Sequence, residues 1–165
     1  MRAAQIIATF GGVGYLRPAP GTWGSLAALA VAALLHVIGG PVLLGLGVVV
    51  SFALGWWATA QETKGKDNHD PSEIVIDEVA GQWLAFLPVS IGATHAGAAL
   101  WALWPGFVTA FLLFRLFDIW KPGPVGWADR QAGPMGVMLD DLIAGFIAAL
   151  GVMFFAWLSH GVLGL

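Results

Sequence analysis

The stretch from Pro18 to Gln61 reads PAPGTWGSLAALAVAALLHVIGGPVLLGLGVVVSFALGWWATAQ and holds no charged residue in 44 positions. A bilayer core of about 30 Å takes about 20 helical residues to cross. The stretch therefore fits two crossings, with Gly39-Gly40-Pro41 as the breaker between them. Two further charge-free runs follow, residues 79–114 and 142–165. The last fits one crossing. The middle run is slightly short for two, at about 54 Å of helix with a 1.5 Å rise, and it carries Pro88, Pro105 and a polar Gly92-Ala93-Thr94-His95 segment read as a turn. Two helices span there if each borrows a turn from its charged flank, which draws Asp77, Glu78 and Arg115 to the membrane boundary. A re-entrant hairpin is the alternative.

Composition points the same way. The chain has 165 residues, 58% of them hydrophobic and only 10% charged, against roughly 25% charged in an ordinary soluble domain. Its mean hydropathy is +0.81. A soluble globule cannot cover itself with so little charge, and disorder is excluded by the excess of apolar surface. The length suits a single domain over residues 1–165. The absence of cysteine removes disulfides, thiolate metal sites and cysteine nucleophiles. A net charge of −3 argues against a nucleic-acid surface. The expected fold is all-α, a polytopic helical membrane bundle of about five spans.

An even number of crossings separates residues 1–17, 62–78 and 115–141, so the charged segments share one face, which also holds every Lys and Arg. By the positive-inside rule that face is cytoplasmic. Only the C-terminal tail with His160 would end outside. Trp23, Trp57, Trp120 and Trp127 near the proposed boundaries suit an interfacial aromatic belt. The start of the chain lacks a secretory-signal pattern.

Three segments on the polar face carry the chemistry. The first, Gly11 to Ser25, is glycine-rich and opens the first hydrophobic helix, with Thr22 or Ser25 placed where an N-cap leaves N–H groups free for an anion. It lacks the lysine of a P-loop, and read alone it is more simply a turn and a cap. In the second, Asp70-Pro71-Ser72-Glu73 is a helix-start signature with a capping-box glutamate. Asp77 and Glu78 then enter an apolar helix, with Gly81 and Gln82 where lysine partners would stand. Adjacent carboxylates entering a membrane helix read as functional. The third segment spaces Arg115, Asp118 and Lys121 by three, consistent with a salt-bridge row, and ends on Asp140-Asp141, of which Asp140 could cap the last helix. His69, beside Asp70, is a lesser candidate for moving protons.

Two carboxylates 4 Å apart repel by about 4 kcal/mol at an effective dielectric near 20. Five converging ones, Asp77, Glu78, Asp118, Asp140 and Asp141, either stand apart or surround a cation. An all-oxygen ligand set selects a hard ion, Mg²⁺ or Mn²⁺ rather than Zn²⁺. With Lys121, Arg115 and the Gly-rich loop on the same face, the pattern reads as Mg²⁺-dependent phosphate chemistry at headgroup level. The rival reading is a cation-coupled transporter or channel lined by the acidic cluster. It predicts carboxylates at mid-membrane depth, whereas here each stands at a segment end.

The blocks Pro20–Ser25, Asp70-Pro71 with Ile74–Gly81, Phe114–Pro122 and Gly136–Gly145, taken together and in order, resemble the phosphatidylglycerophosphatase A family of bacterial inner-membrane lipid phosphatases. One departure is Gly133-Pro134, where the family pattern has two glycines. The resemblance implies Mg²⁺-dependent hydrolysis of the terminal phosphate of phosphatidylglycerophosphate, a step of phospholipid biosynthesis that yields phosphatidylglycerol and inorganic phosphate. It also implies a multi-pass protein of the cytoplasmic membrane, whose partners are its phospholipid substrate and the bilayer. Asp77, Glu78, Asp118, Asp140 and Asp141 are expected to be catalytic and to hold the metal, singly or as a two-metal clamp. Lys121, Arg115 and Thr22 are expected to bind the phosphoryl group. Water activated at the metal is the expected nucleophile, with attack by an aspartate as the alternative. The signatures of other lipid phosphatase and phosphotransferase families do not occur.

Overall fold

The structure, a computed structural model, describes residues 2–66, 68 and 70–159. His69 and His160 lie outside the described residues. Among the described residues the secondary structure is entirely helical. Six α-helices follow in order: α1 (Ala3–Ala8), α2 (Pro20–Thr63), α3 (Ile76–Ala96), α4 (Trp104–Trp120), α5 (Pro124–Asp129) and α6 (Pro134–Trp157). Short 3-10 turns stand at Val13–Tyr15 and Leu100–Leu103.

The breaker at Gly39-Gly40-Pro41 acts as expected. Gly39 (φ −149°) and Gly40 (φ 62°, ψ −157°) leave helical geometry. Gly40 alone needs the left-handed region, and Pro41 has no N–H to continue the ladder. α2 is thus two arms, residues 20–38 and 41–63, folded back so that Leu35 stands against Gly47. Among the described residues, three helical segments are long and apolar enough to cross a bilayer: Pro20–Thr63, Leu100–Trp120 and Pro134–Trp157. Their outward faces are apolar, with Ile38, Val42, Leu46, Leu112 and Phe154 among the exposed side chains. That inversion suits a hydrocarbon solvent.

α3 is the core helix, packed against α2, α4 and α6. It buries Val79, Ala80, Ala85, Phe86 and Val89. Polar groups pin it to the first arm of α2: the Trp83 indole N–H donates to the Ala28 carbonyl at 2.8 Å, and His36 Nδ1 pairs with the Ser90 hydroxyl at 2.7 Å. Against α6 the approach is closer. A Cβ on Gly145 would stand 2.9 Å from the Gly81 Cα, and one on Gly81 would stand 2.5 Å from the Asp141 carbonyl oxygen. The two backbones touch because neither glycine has a side chain, the small-residue packing typical of membrane helices.

Several boundaries differ from the sequence expectation. The Asp70-Pro71 start signature opens a turn rather than a helix, and α3 begins at Ile76. The reason is competition for a backbone donor, since the Val75 N–H is taken by the Ala8 carbonyl of α1 at 2.9 Å. Asp77 and Glu78 consequently sit on the first helical turn, not the second. The polar Gly92–His95 segment stays helical, with the Thr94 hydroxyl satisfied by donating to the Ser90 carbonyl. The chain turns instead at Gly97, φ 60°. Asp140 is no cap, for α6 begins at Pro134. Proline suits that first position, so the departure at Gly133-Pro134 is accommodated.

Gly145→Leu should force α3 and α6 apart at a cost of about 1–3 kcal/mol or more, read as a lowered melting temperature in detergent. Gly45→Leu is the control, because a Cβ there meets nothing within 4 Å. Equal effects of the two substitutions would show that the crossing does not hold the fold.

Candidate active site

The glycine crossing fixes the geometry of the carboxylates. Asp77 and Glu78 precede Gly81 by one turn on α3, and Asp141 precedes Gly145 by one turn on α6. Both helices begin at the same end of the bundle, so the crossing sets these turns side by side. One carboxylate oxygen from each of Asp77, Glu78 and Asp141 lies within 4.8 Å of the other two. Asp77 is 7% exposed and Asp141 3%.

These residues line the head of a cleft of about 360 Å³. Its walls come from the start of α2 (Pro20, Gly21, Thr22), the loop before α3 (Asp70, Ser72), the end of α4 (Arg115, Asp118, Lys121) and α6 (Asp140). All eight residues expected from the sequence thus border one cavity, in two groups. Asp77, Glu78 and Asp141 form the triad. Asp118 and Asp140 stand at its rim, engaged by cations. Arg115 forms an ion pair with Asp118 and lies 3.8 Å from Glu78 Oε1. Lys121 binds Asp140 at 2.7 Å and also Asp129.

The expected row of Arg115, Asp118 and Lys121 therefore breaks after its first pair. Lys121 ends α4 in the left-handed region, φ 51° and ψ 53°, which turns its ammonium toward α5 and α6. Burial works against the charge on Lys121, but the carboxylates of Asp129 and Asp140 outweigh it and hold its pKa above the ordinary lysine value. It stays cationic throughout the physiological range. Asp129 was not singled out by the sequence, because nothing local signals that Lys121 leaves its helix to meet it.

The fit to a cation rests on the side-chain atoms left over. Asp77 Oδ1, Glu78 Oε2 and Asp141 Oδ2 are buried and have no hydrogen-bond partner. Three unit charges at these separations repel by about 10 kcal/mol in total at an effective dielectric near 20, comparable with the whole stability of a domain. A divalent cation held between one oxygen of each of the three residues would offset that repulsion. An all-carboxylate donor set is that of a hard ion. One turn further along α3, Gln82 is fully buried with neither amide atom bonded, so the unsatisfied polar zone continues beneath the triad.

The sequence profile described as phosphatidylglycerophosphatase A matches residues 6–156. Over 137 residues the chain is 34% identical to the phosphatidylglycerophosphatase A of Escherichia coli K12, covering 82% of this chain and 73% of that one. Over 150 residues it is 33% identical to the Haemophilus influenzae protein of the same name, covering 90% and 85%. A Bacteroides thetaiotaomicron protein provisionally named a phosphatidylinositol-3-phosphatase is 35% identical over 158 residues, 92% of each chain. No solved structure matches. Nothing in these similarities supports a transporter or channel.

Asp141→Asn should have opposite effects in the two metal states. In chelator it relieves repulsion and should raise the melting temperature by about 2–4 °C for each kcal/mol relieved. In millimolar Mg²⁺ it removes a ligand, and the stabilisation that the ion gives the native chain should be lost. A melting temperature of the native chain that ignores Mg²⁺ would count against a metal at the triad.

Proposed function

The chain belongs to the phosphatidylglycerophosphatase A family, and on that premise we propose that it hydrolyses the terminal phosphate monoester of phosphatidylglycerophosphate with Mg²⁺ as its cofactor. The products are phosphatidylglycerol and inorganic phosphate. The observation that carries the reading is the trio of unpartnered carboxylate oxygens at the head of a cleft whose rim holds two cations. A phosphomonoester presents the complementary charge to both the rim and a cation.

Asp77, Glu78 and Asp141 are the residues that would hold Mg²⁺, with Asp118 and Asp140 close enough at the rim to complete a second position. When bound, the ion would supply charge neutralisation at the phosphoryl group and a position that orients the attacking water. The chain's own groups do the rest. Arg115, steadied by Asp118, presents its guanidinium toward the phosphoryl oxygens. Lys121, held by Asp129 and Asp140, adds a second positive charge as negative charge spreads in the loosening transition state. The Thr22 hydroxyl, at the start of α2, contributes a neutral donor. Hydrolysis is direct, by water, with no covalent phosphoenzyme.

We place this single-domain enzyme in the bacterial cytoplasmic membrane with five crossings. The two arms of α2, α3, α4 and α6 each span, and the cleft opens to the cytoplasm. The reading draws on the grouping of charged segments at one end and on the positive-inside rule.

In detergent, the native chain should release phosphate from phosphatidylglycerophosphate only with Mg²⁺. Asp77→Asn and Asp141→Asn should each lower kcat by about a thousandfold or more, and no phosphoenzyme should be trapped. Full activity in either variant would remove the metal assignment, and no release by the native chain would remove the phosphatase. Phosphatidylinositol 3-phosphate belongs in the same assay because of the third relative, and it should be the poorer substrate.

The chain has no native cysteine, so single-cysteine variants report its topology cleanly. A cysteine at Lys64 or Arg130 should react with an impermeant reagent only from the cytoplasmic side, and one at Gly97 only from the opposite side. The reverse pattern would overturn the orientation.

A further inference from the structure

The first turn of α2 offers hydrogen-bond donors that have no partner among the described residues. Ala19 stands at the cap position without a side-chain hydrogen bond, Pro20 has no N–H, and the first intrahelical bond runs from the Trp23 N–H to the Ala19 carbonyl at 3.1 Å. That leaves the amides of Gly21 and Thr22, two residues that line the cleft. Unused amides at a helix N-terminus carry positive partial charge and seat anions.

A helix end alone would not make a site, but two independent features converge on this one. Asp77 and Asp141, each more than nine-tenths buried, line the same cleft, and each carries a carboxylate oxygen without a hydrogen-bond partner. A methyl built on Gly21 would collide with Glu78 Oε1 and stand 3.1 Å from Arg115 Nη1. The backbone of α2 therefore meets a carboxylate of the triad and the rim guanidinium with no side chain between them. Glu78 divides its two oxygens accordingly: Oε1 faces Gly21 and Arg115, while Oε2 is the buried, unpartnered one.

We infer that the Gly21 and Thr22 amides, beside Arg115, are the seat of a tetrahedral phosphoryl oxyanion, and that Gly21 is required because any side chain there would strike the Glu78 carboxylate and crowd the Arg115 guanidinium that border the seat. The inference rests on the phosphatase reading and adds to it a donor pair that no side-chain inventory contains. Backbone donors suit this task because they are fixed by the helix before the ligand arrives and need no reorganisation. The same seat accepts the phosphoryl group of the lipid headgroup and the inorganic phosphate released from it.

Comparing Thr22→Val with Thr22→Pro isolates the amide. Both delete the hydroxyl, only the second deletes the N–H, and proline is accepted in the first turn of a helix. Two probes separate the two sources of the anion: KM for phosphatidylglycerophosphate and the inhibition constant of inorganic phosphate. From Thr22→Val to Thr22→Pro, phosphate inhibition should weaken by a further factor of about ten to a hundred, with Mn²⁺ affinity by electron paramagnetic resonance held within about threefold. Gly21→Ala should likewise weaken phosphate inhibition at least about tenfold, whereas Gly45→Ala, where a Cβ meets nothing within 4 Å, should leave it unchanged. Equal phosphate inhibition in the two Thr22 variants overturns the amide seat even while the native chain turns over. Parallel loss of Mn²⁺ binding in Thr22→Pro and Gly21→Ala assigns the effect to the triad and overturns it too. A native chain that releases no phosphate is the separate failure of the phosphatase reading.

Discussion

The contact between Gly81 and Gly145 is the constraint on which the site depends. Two helices that start at the same end of the bundle meet backbone to backbone, so the turns preceding the contact are held at the shortest distance helices allow. Those turns carry Asp77, Glu78 and Asp141. A larger residue at either glycine would move the axes apart, and a shared cation would lose reach of one side or the other. Packing and ligand geometry are here one requirement. The methyl-free surface that lets α3 sink into the bundle is also what draws three acids together.

Such a concentration of buried acid has to be balanced from somewhere. The rim cations balance the triad only in part: Arg115 lies 3.8 Å from Glu78 Oε1, but the nearer partners of the two cations are Asp118, Asp129 and Asp140. The triad keeps one unpartnered oxygen per residue. Breaking a buried charge network by removing one partner costs several kcal/mol, while completing it restores that cost. In a chain with so few charges, an acid cluster of this kind has no solubility role to fall back on, and a cation is the simplest agent that satisfies all three oxygens at once.

The helical order of the chain was legible because bilayer crossing imposes a coarse rule on sequence: charge-free runs of sufficient length form apolar helices, the first of them broken at Gly39-Gly40-Pro41. That the expected residues border one cavity was legible for the same reason, since charges excluded from the apolar helices gather at their ends. What could not be read was which acids converge. That depends on where α3 and α6 touch, and the signal for it, a glycine one turn after each acid, means nothing until the two helices are known to be neighbours. The Asp70-Pro71 signature misled because the carbonyl of Ala8, distant in sequence, took the Val75 amide and delayed the helix to Ile76. Lys121 was placed on the face of Arg115 because its left-handed backbone has no local cause. Its conformation costs about 1–2 kcal/mol, offset by two carboxylates supplied from α5 and α6.

The pairing at the rim bears on turnover under the proposed reaction. A phosphoryl group entering the cleft meets Arg115 and Lys121 already compensated by Asp118, Asp129 and Asp140, so it gains the difference between two sets of partners rather than the full attraction of bare cations. Ground-state binding is thereby moderated, and interactions that strengthen only as charge spreads over the leaving phosphoryl oxygens raise kcat instead of lowering KM. The same compensation acts on the product. Free phosphate is a compact multivalent anion that two unpaired cations in a low-dielectric cleft would hold tightly, and carboxylates already in contact with those cations are positioned to reclaim them as it leaves. The acids that do not join the triad thus set how weakly the site holds what it has finished with, through their contacts with Arg115 and Lys121.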